Sequence, residues 1–202
     1  ALKKAFVPLL FDWAVAGGRP HTRYLQELGF PADRIAGSYD VVDNRFYAEV
    51  ADMARSAECP PPAFCDLRGY FLYVGRLAPE KNVDALIDGY TAYRSRGGRA
   101  ALVIVGDGPL REQLQNKGRA SAWNHDIHFA GQKSVDEIAL YYAFARCFVL
   151  PSKREPWGLV VNEAMAAGLP VIVSNRCGCA EDLVRDGENG FVVEPCGEQL
   201  CE

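Results

Sequence analysis

Long apolar runs are missing from this sequence: nothing in its 202 residues approaches the ~20 consecutive apolar residues that a membrane-spanning helix needs. A basic excess is missing as well. The 22 Lys and Arg stand against 26 Asp and Glu, for a net charge of -4, so the electrostatic signature of a nucleic-acid-binding surface is absent. The cysteines number seven, with no Cys-x-x-Cys, and Cys177-Gly178-Cys179 has no second pair at zinc-site spacing. A disulfide scaffold and a zinc module are thereby excluded, and the cysteines read as small core residues or free thiols. There is no internal repeat, no low-complexity tract and no visible signal peptide. The chain opens on Ala1-Leu2-Lys3-Lys4 and closes on Cys201-Glu202, and the expectation is a piece of a longer cytoplasmic protein.

What is present is the material of a folded core, 49% apolar and 24% charged residues. From Gly69 onward, short apolar runs alternate with amphipathic patterns. Strands are predicted at 70–74, 101–105, 127–129, 147–150, 171–173 and 191–193. Helices are predicted between them: one carrying Val83, Leu86, Ile87, Tyr90 and Tyr93, one opened by Pro109, one capped by Ser134 with Glu137, one over 158–167, and a short one at 180–184. Regular alternation implies βαβ units, and so an α/β fold with a Rossmann-like, doubly wound parallel sheet. Ligands of such sheets bind at the carboxyl ends of the strands, where the loops after Gly75, Gly106, Gly131 and Pro151 would gather. Before that region the pattern is weaker: a strand at 11–15, a helix at 21–28, a strand at 35–42, a loop at Asp43-Asn44, and a linker at Pro60-Pro61-Pro62. The expected division is 1–65 and 66–202.

Chemistry concentrates in two loops. In Pro151-Ser152-Lys153-Arg154-Glu155-Pro156-Trp157-Gly158-Leu159-Val160, a strand ends and a helix opens. The unsatisfied amides of a helix N-terminus, reinforced by its dipole, bind anions. Gly158 would let a phosphate approach the backbone closely. Glu155 stands before that pocket, and Glu163 lies inside the helix. Such a spacing suits an elongated ligand with hydroxyls at both ends and phosphate between. Alone, it also fits one glutamate complementing the helix dipole and a second solvated on the surface. The second loop, Gly75-Arg76-Leu77-Ala78-Pro79-Glu80-Lys81-Asn82, offers a guanidinium fork and an ammonium on the same sheet edge, both suited to a diphosphate.

Gly75-Arg76 with Glu80-Lys81-Asn82, then Val105-Gly106-Asp107-Gly108-Pro109, then Glu155 and Glu163-Ala164-Met165-Ala166-Ala167-Gly168 come in an order and spacing that resembles the C-terminal domain of glycosyltransferase family 4, the retaining "group 1" glycosyltransferases. The resemblance covers roughly 69–195, and the stretch 11–44 looks like the tail of that family's N-terminal domain. It implies a GT-B architecture of two Rossmann-like domains, the present chain holding the donor half, truncated before its last helix. By resemblance, Arg76 and Lys81 neutralise the diphosphate leaving group, and Glu155 contacts hydroxyls of the transferred sugar. Glu163 holds the ribose, the Gly158, Leu159 and Val160 amides cradle phosphate, Trp157 borders the sugar, and Gln132 and Lys133 lie near the base. The expected donor is a UDP-, GDP- or ADP-sugar; the acceptor is a saccharide or lipid-linked molecule, and the whole protein associates weakly with the inner membrane face. No nucleic acid, cofactor or metal is expected. Asp-x-Asp, the pair with which metal-dependent glycosyltransferases of the other main fold hold a cation on the diphosphate, does not occur here.

Two other readings compete with this one. The first is a nucleotide-sugar-binding module without catalytic activity. The second, a dinucleotide fingerprint at Gly106-Asp107-Gly108, fails because Arg111 stands where the third Gly or Ala belongs. Asp107 is expected to be a helix N-cap. The histidines His21, His125 and His128 are expected at the surface or in loops, and Trp13 and Trp123 in packing.

Overall fold

The computed structural model describes residues 2–37, 40–58, 67 and 69–196. Six runs rich in Val, Ile, Leu, Tyr and Phe form one parallel sheet: β3 (Tyr70–Val74), β4 (Leu102–Val105), β5 (Ile127–Gly131), β6 (Ala145–Leu150), β7 (Val171–Ser174) and β8 (Gly190–Val193). Their order is β5-β4-β3-β6-β7-β8, every neighbouring pair parallel. The strands of a sheet covered on both faces are apolar throughout, and β4 is buried along its whole length. Leu72, Leu102, Ile104 and Phe148 at the sheet centre are fully buried. The connecting helices are α4 (Val83–Ser95), α5 (Arg111–Ala120), α6 (Val135–Phe144), α7 (Leu159–Ala166) and α8 (Ala180–Leu183). Strand order runs outward from β3 in one direction and from β6 in the other, so right-handed crossovers place helices on both faces.

α6 begins with the expected capping box: Ser134 accepts from the Glu137 amide, and the Glu137 carboxylate accepts from the Ser134 amide at 2.9 Å. α5 starts two residues later than expected. Asp107 does not cap it; its carboxylate takes the Gly108 amide and the Arg111 guanidinium, each at 2.7 Å, and so fixes the turn before the helix. Gly106 has a steric reason to be glycine: a Cβ there would lie 1.9 Å from the Gly75 carbonyl oxygen, where the loops after β3 and β4 cross.

The N-terminal part holds α1 (Leu2–Leu10), α2 (Arg19–Glu27), α3 (Asn44–Ser56) and a two-stranded parallel sheet of β1 (Ala14–Ala16) and β2 (Ile35–Gly37). Both strands are shorter than expected, and α1 and α3 were not expected. Trp13, expected in packing, is 65% exposed. The Asp43 of the expected loop is the N-cap of α3, its carboxylate accepting from the Phe46 amide at 3.0 Å. α3 packs on α6 and α7 and buries Tyr47, Ala51 and Ala54 in the core of the large sheet. The expected linker at 60–62 lies outside the described residues.

Candidate functional site

Strand order reverses between β3 and β6, and the loops leaving these two strands form the crevice that such sheets use for ligands. The loops are joined by backbone: the amides of Lys153 and Arg154 donate to the Glu80 carbonyl at 2.8 and 3.4 Å. Asn82, left-handed at φ +57°, ends the first loop, and its side-chain amide donates to the carbonyls of Pro151 (3.1 Å) and Pro195 (2.9 Å). Asparagine tolerates that backbone better than most residues do, and here one side chain ties three loops together.

This frame brings Lys81 and Glu155 into an ion pair, their side chains 21% and 10% exposed. The Ser152 hydroxyl lies 3.4 Å from the same carboxylate oxygen. The Glu155 backbone is fixed as well: its amide donates to the Arg176 carbonyl at 3.2 Å, and its carbonyl accepts from Gly178 at 3.0 Å. Three residues on, Gly158 is the N-cap of α7 at φ +103°, a conformation that favours glycine, and no side chain caps the helix. Of the first-turn amides, that of Val161 donates back to the Gly158 carbonyl at 2.8 Å, which leaves those of Leu159 and Val160 without intrahelical acceptors. Gly75, Lys81, Glu155, Trp157, Gly158, Leu159 and Val160 together line a cavity of about 300 Å³, into which Asp40 also reaches.

A second cavity, about 400 Å³, opens at the ends of β4 and β5 between Gly75, Arg76, Gly106, Asp107, Gln132, Lys133 and Ile138. The two share Val74 and Gly75 and form a continuous trough along the sheet edge. Arg76 is exposed and has no carboxylate partner among the described residues. Lys133 pairs with Glu137 at 3.1 Å, a hydrogen bond that raises the lysine pKa.

Two expected residues sit differently from the others. Trp157 is buried; its indole donates to Asn162 at 3.0 Å, and its ring lies against Gly18 and 6.1 Å from that of His21. Glu163 is not among the residues lining either cavity. It turns toward α6 and α3, accepting from the Tyr142 hydroxyl at 2.9 Å, and burial raises its pKa while the Tyr142 and Tyr47 hydroxyls oppose that rise. Sequence reasoning gave Ser152 and Asn82 no role of their own within the two loops, and missed Asp40, Tyr142 and Tyr47 as parts of this region. Only Tyr47 carried a usable signal, since Phe46, Tyr47, Val50, Ala51 and Ala54 recur at helical spacing after a capping Asp43.

The largest of these cavities, about 620 Å³, lies on the other side of Glu155, between α2 and the loop from β7 to α8. Arg23 and Glu181 close its rim with a bidentate pair at 2.6 and 2.5 Å. It shares Glu155 and Pro156 with the cavity at α7, so Glu155 stands between the two. Among the described residues no cluster of three or more His, Cys, Asp or Glu could hold a metal ion, and no helix is long and apolar enough to cross a membrane.

Comparison with known proteins agrees with this fold. Residues 65–201 match the family described as glycosyl transferases group 1. The alpha-D-kanosaminyltransferase of Streptomyces kanamyceticus is 32% identical over 82% of this chain and 42% of its own length. A GDP-mannose-dependent alpha-(1-6)-phosphatidylinositol monomannoside mannosyltransferase of Mycobacterium tuberculosis is 35% identical over 60% of this chain and 33% of its own. Among solved structures, the apo form of a lipopolysaccharide outer core galactosyltransferase superposes with a TM-score of 0.72 at 27% identity, covering 91% of this chain and 49% of that one. Anabaena HepE in complex with UDP and glucose shares the fold, with a TM-score of 0.72 at 21% identity, over 94% of this chain and 51% of its own. The chain thus spans less than half the length of the curated relatives it matches. It belongs to the group 1 glycosyltransferases and has the α/β fold of a GT-B C-terminal domain.

Proposed function

We propose that this chain is the donor-binding part of a retaining, metal-independent family 4 glycosyltransferase that binds a nucleoside-diphosphate sugar. The observation that carries the proposal is the Lys81–Glu155 pair beside the uncapped N-terminus of α7, at the reversal point of the sheet. The nucleotide lies along the trough, its base against Gln132 and Lys133 and its diphosphate against Lys81, Arg76 and the α7 amides. As the bond to the sugar breaks, negative charge grows on the leaving diphosphate, where a fixed cation and a helix dipole stabilise it without reorganising. Once phosphate takes Lys81, the Glu155 carboxylate is released to accept hydroxyls of the transferred sugar.

In the whole protein the sugar passes to a saccharide or lipid-linked acceptor, the cavity beyond Glu155 giving it room, and the protein works at the cytoplasmic face of a membrane. The phosphatidylinositol mannoside named for the mycobacterial relative supports a lipid-linked acceptor. The complexes of HepE with UDP and UDP-glucose support a nucleotide-sugar donor.

Thermal unfolding tests the reading, with UDP, GDP, ADP, NAD and the matching sugar nucleotides each at millimolar concentration. A ligand at 100 times its Kd stabilises the fold by about 2.7 kcal/mol, a shift of several degrees. One nucleoside diphosphate and its sugar conjugate are expected to raise Tm while NAD does not. Equal responses to NAD and the diphosphates would overturn the proposal.

A further inference from the structure

Asp40, from the segment between β2 and α3, lines the cavity at α7 together with Lys81, Glu155 and Gly158. Among the described residues it has neither an ion-pair nor a hydrogen-bond partner. Lys81 is already answered by Glu155, so Asp40 leaves the lining with a net negative side-chain charge. In a pocket that bound phosphate alone, an unpaired carboxylate would be a pure cost, because it repels the anion.

The surroundings of that carboxylate hold it in place. Gly17, directly after β1, is buried, and a Cβ there would overlap the Asp40 carboxylate and come within 2.9 Å of His21 Nδ1. The bare glycine is what lets the two side chains approach each other. His21 lies in the first turn of α2, its ring 6.1 Å from that of Trp157. Its Nδ1 is buried and has no hydrogen-bond partner, a state that costs free energy until an acceptor arrives. On its other side His21 borders the large cavity beyond Glu155.

An ionised carboxylate accepts hydrogen bonds and donates none. In a nucleoside-diphosphate sugar the phosphates are acceptors too, whereas the sugar carries a ring of hydroxyl donors. We infer that Asp40 is a specificity-determining residue for the transferred sugar, accepting hydroxyls that Glu155 does not, and that His21 positions it. As the Asp40 carboxylate turns over Gly17, Nδ1 of His21 donates to one oxygen and the other is left for the sugar. The inference rests on the nucleotide-sugar reading above. Gly17, His21 and Asp40 all lie ahead of the matched residues 65–201. Two proteins with the same donor motifs can therefore differ in the sugar they take through this segment.

The test is calorimetry on the 202-residue chain and its variants, with UDP, GDP and ADP against UDP-glucose, UDP-galactose, UDP-N-acetylglucosamine, GDP-mannose and ADP-glucose. The quantity read is the affinity of each sugar nucleotide relative to its bare diphosphate. In Asp40→Asn that ratio should fall about tenfold, the loss of a hydroxyl bond to a charged acceptor, while the bare diphosphate binds as before or up to about threefold tighter. Gly17→Ala should lower the ratio as well, because its methyl group pushes the carboxylate aside without changing its chemistry. His21→Phe should lower it by a smaller step. A merely structural Asp40 would lower Tm and move diphosphate and conjugate together. A ratio that survives Asp40→Asn, or an equal loss for both ligands, overturns the assignment and leaves the nucleotide reading intact. A ratio that falls in Asp40→Asn and holds in His21→Phe overturns the positioning role of His21. If the unaltered chain binds a diphosphate and gains nothing from any of these sugars, the sugar pocket is refuted and the diphosphate site stands. Should no diphosphate bind, the nucleotide reading fails first and takes this assignment along.

Discussion

The trough along the sheet edge has two unlike ends. At the N-terminus of α7 the Lys81 charge is already answered by Glu155, both side chains are largely covered, and backbone hydrogen bonds from Lys153 and Arg154 pin the loops. At the ends of β4 and β5 the cations are held less firmly: Arg76 is exposed, and Lys133, as covered as Lys81, pairs only with a half-exposed carboxylate four residues along its own chain. A covered, pre-set cation keeps its Coulomb strength and needs no reordering when an anion arrives. An exposed one is screened and has side-chain entropy to lose. The inner end should therefore respond to substitution in large steps and the outer end in small ones.

Lys81→Ala is the largest expected break. Removing it takes a charge-assisted contact from the phosphates and leaves Glu155 as an unpaired carboxylate beside them. Nucleoside diphosphate affinity should fall about 100-fold while nucleoside affinity stays put. Calorimetry with both ligands decides it, and an equal loss for both would put the phosphates elsewhere. Glu155→Gln should act with the opposite sign on the bare nucleotide. Its competitor for Lys81 gone, the diphosphate should bind about three- to tenfold tighter, and the extra affinity of the sugar nucleotide over the diphosphate should vanish. A weaker diphosphate in this variant would show that the pair is not a contest. Arg76→Ala should cost about threefold, and the loss should fade as salt rises from 50 to about 500 mM, as befits an exposed charge. Ser134→Ala probes the outer end through its scaffold. The lost cap should cost about 1 kcal/mol of stability, a few degrees in Tm, and leave nucleotide affinity within about twofold.

Periodicity carried the large sheet. Tyr70–Val74 and Leu102–Val105 are strands because unbroken apolar runs of that length suit only a strand covered on both faces, and their neighbours follow the same rule. The positions of Gly75, Lys81, Glu155 and Gly158 on one sheet edge then followed from topology alone. Side-chain direction did not follow. Nothing in the spacing of Glu155 and Glu163 says that the first would meet Lys81 and the second would turn to Tyr142, because those partners come from the loop after β3 and from α6, far off in sequence. Asp107 misled for a local reason: it stands where an N-cap belongs, but Pro109 and Leu110 delay the helix and leave the carboxylate to a turn. The N-terminal part was read least well. α1 contains Pro8 and α2 opens on Arg19-Pro20, so proline blurred both boundaries. α3 hid behind an Asp-Asn pair that reads equally as a turn or a cap.

The placement of α3 has a practical consequence. A chain begun at residue 65 would retain the whole family match, yet would strip Tyr47, Ala51 and Ala54 from the flank of α6 and α7 and bare an apolar groove. Anyone exchanging this domain between relatives should splice ahead of Asp43, so that the helix travels with the sheet it covers; a join in the proline stretch would graft a domain that has lost its own wall.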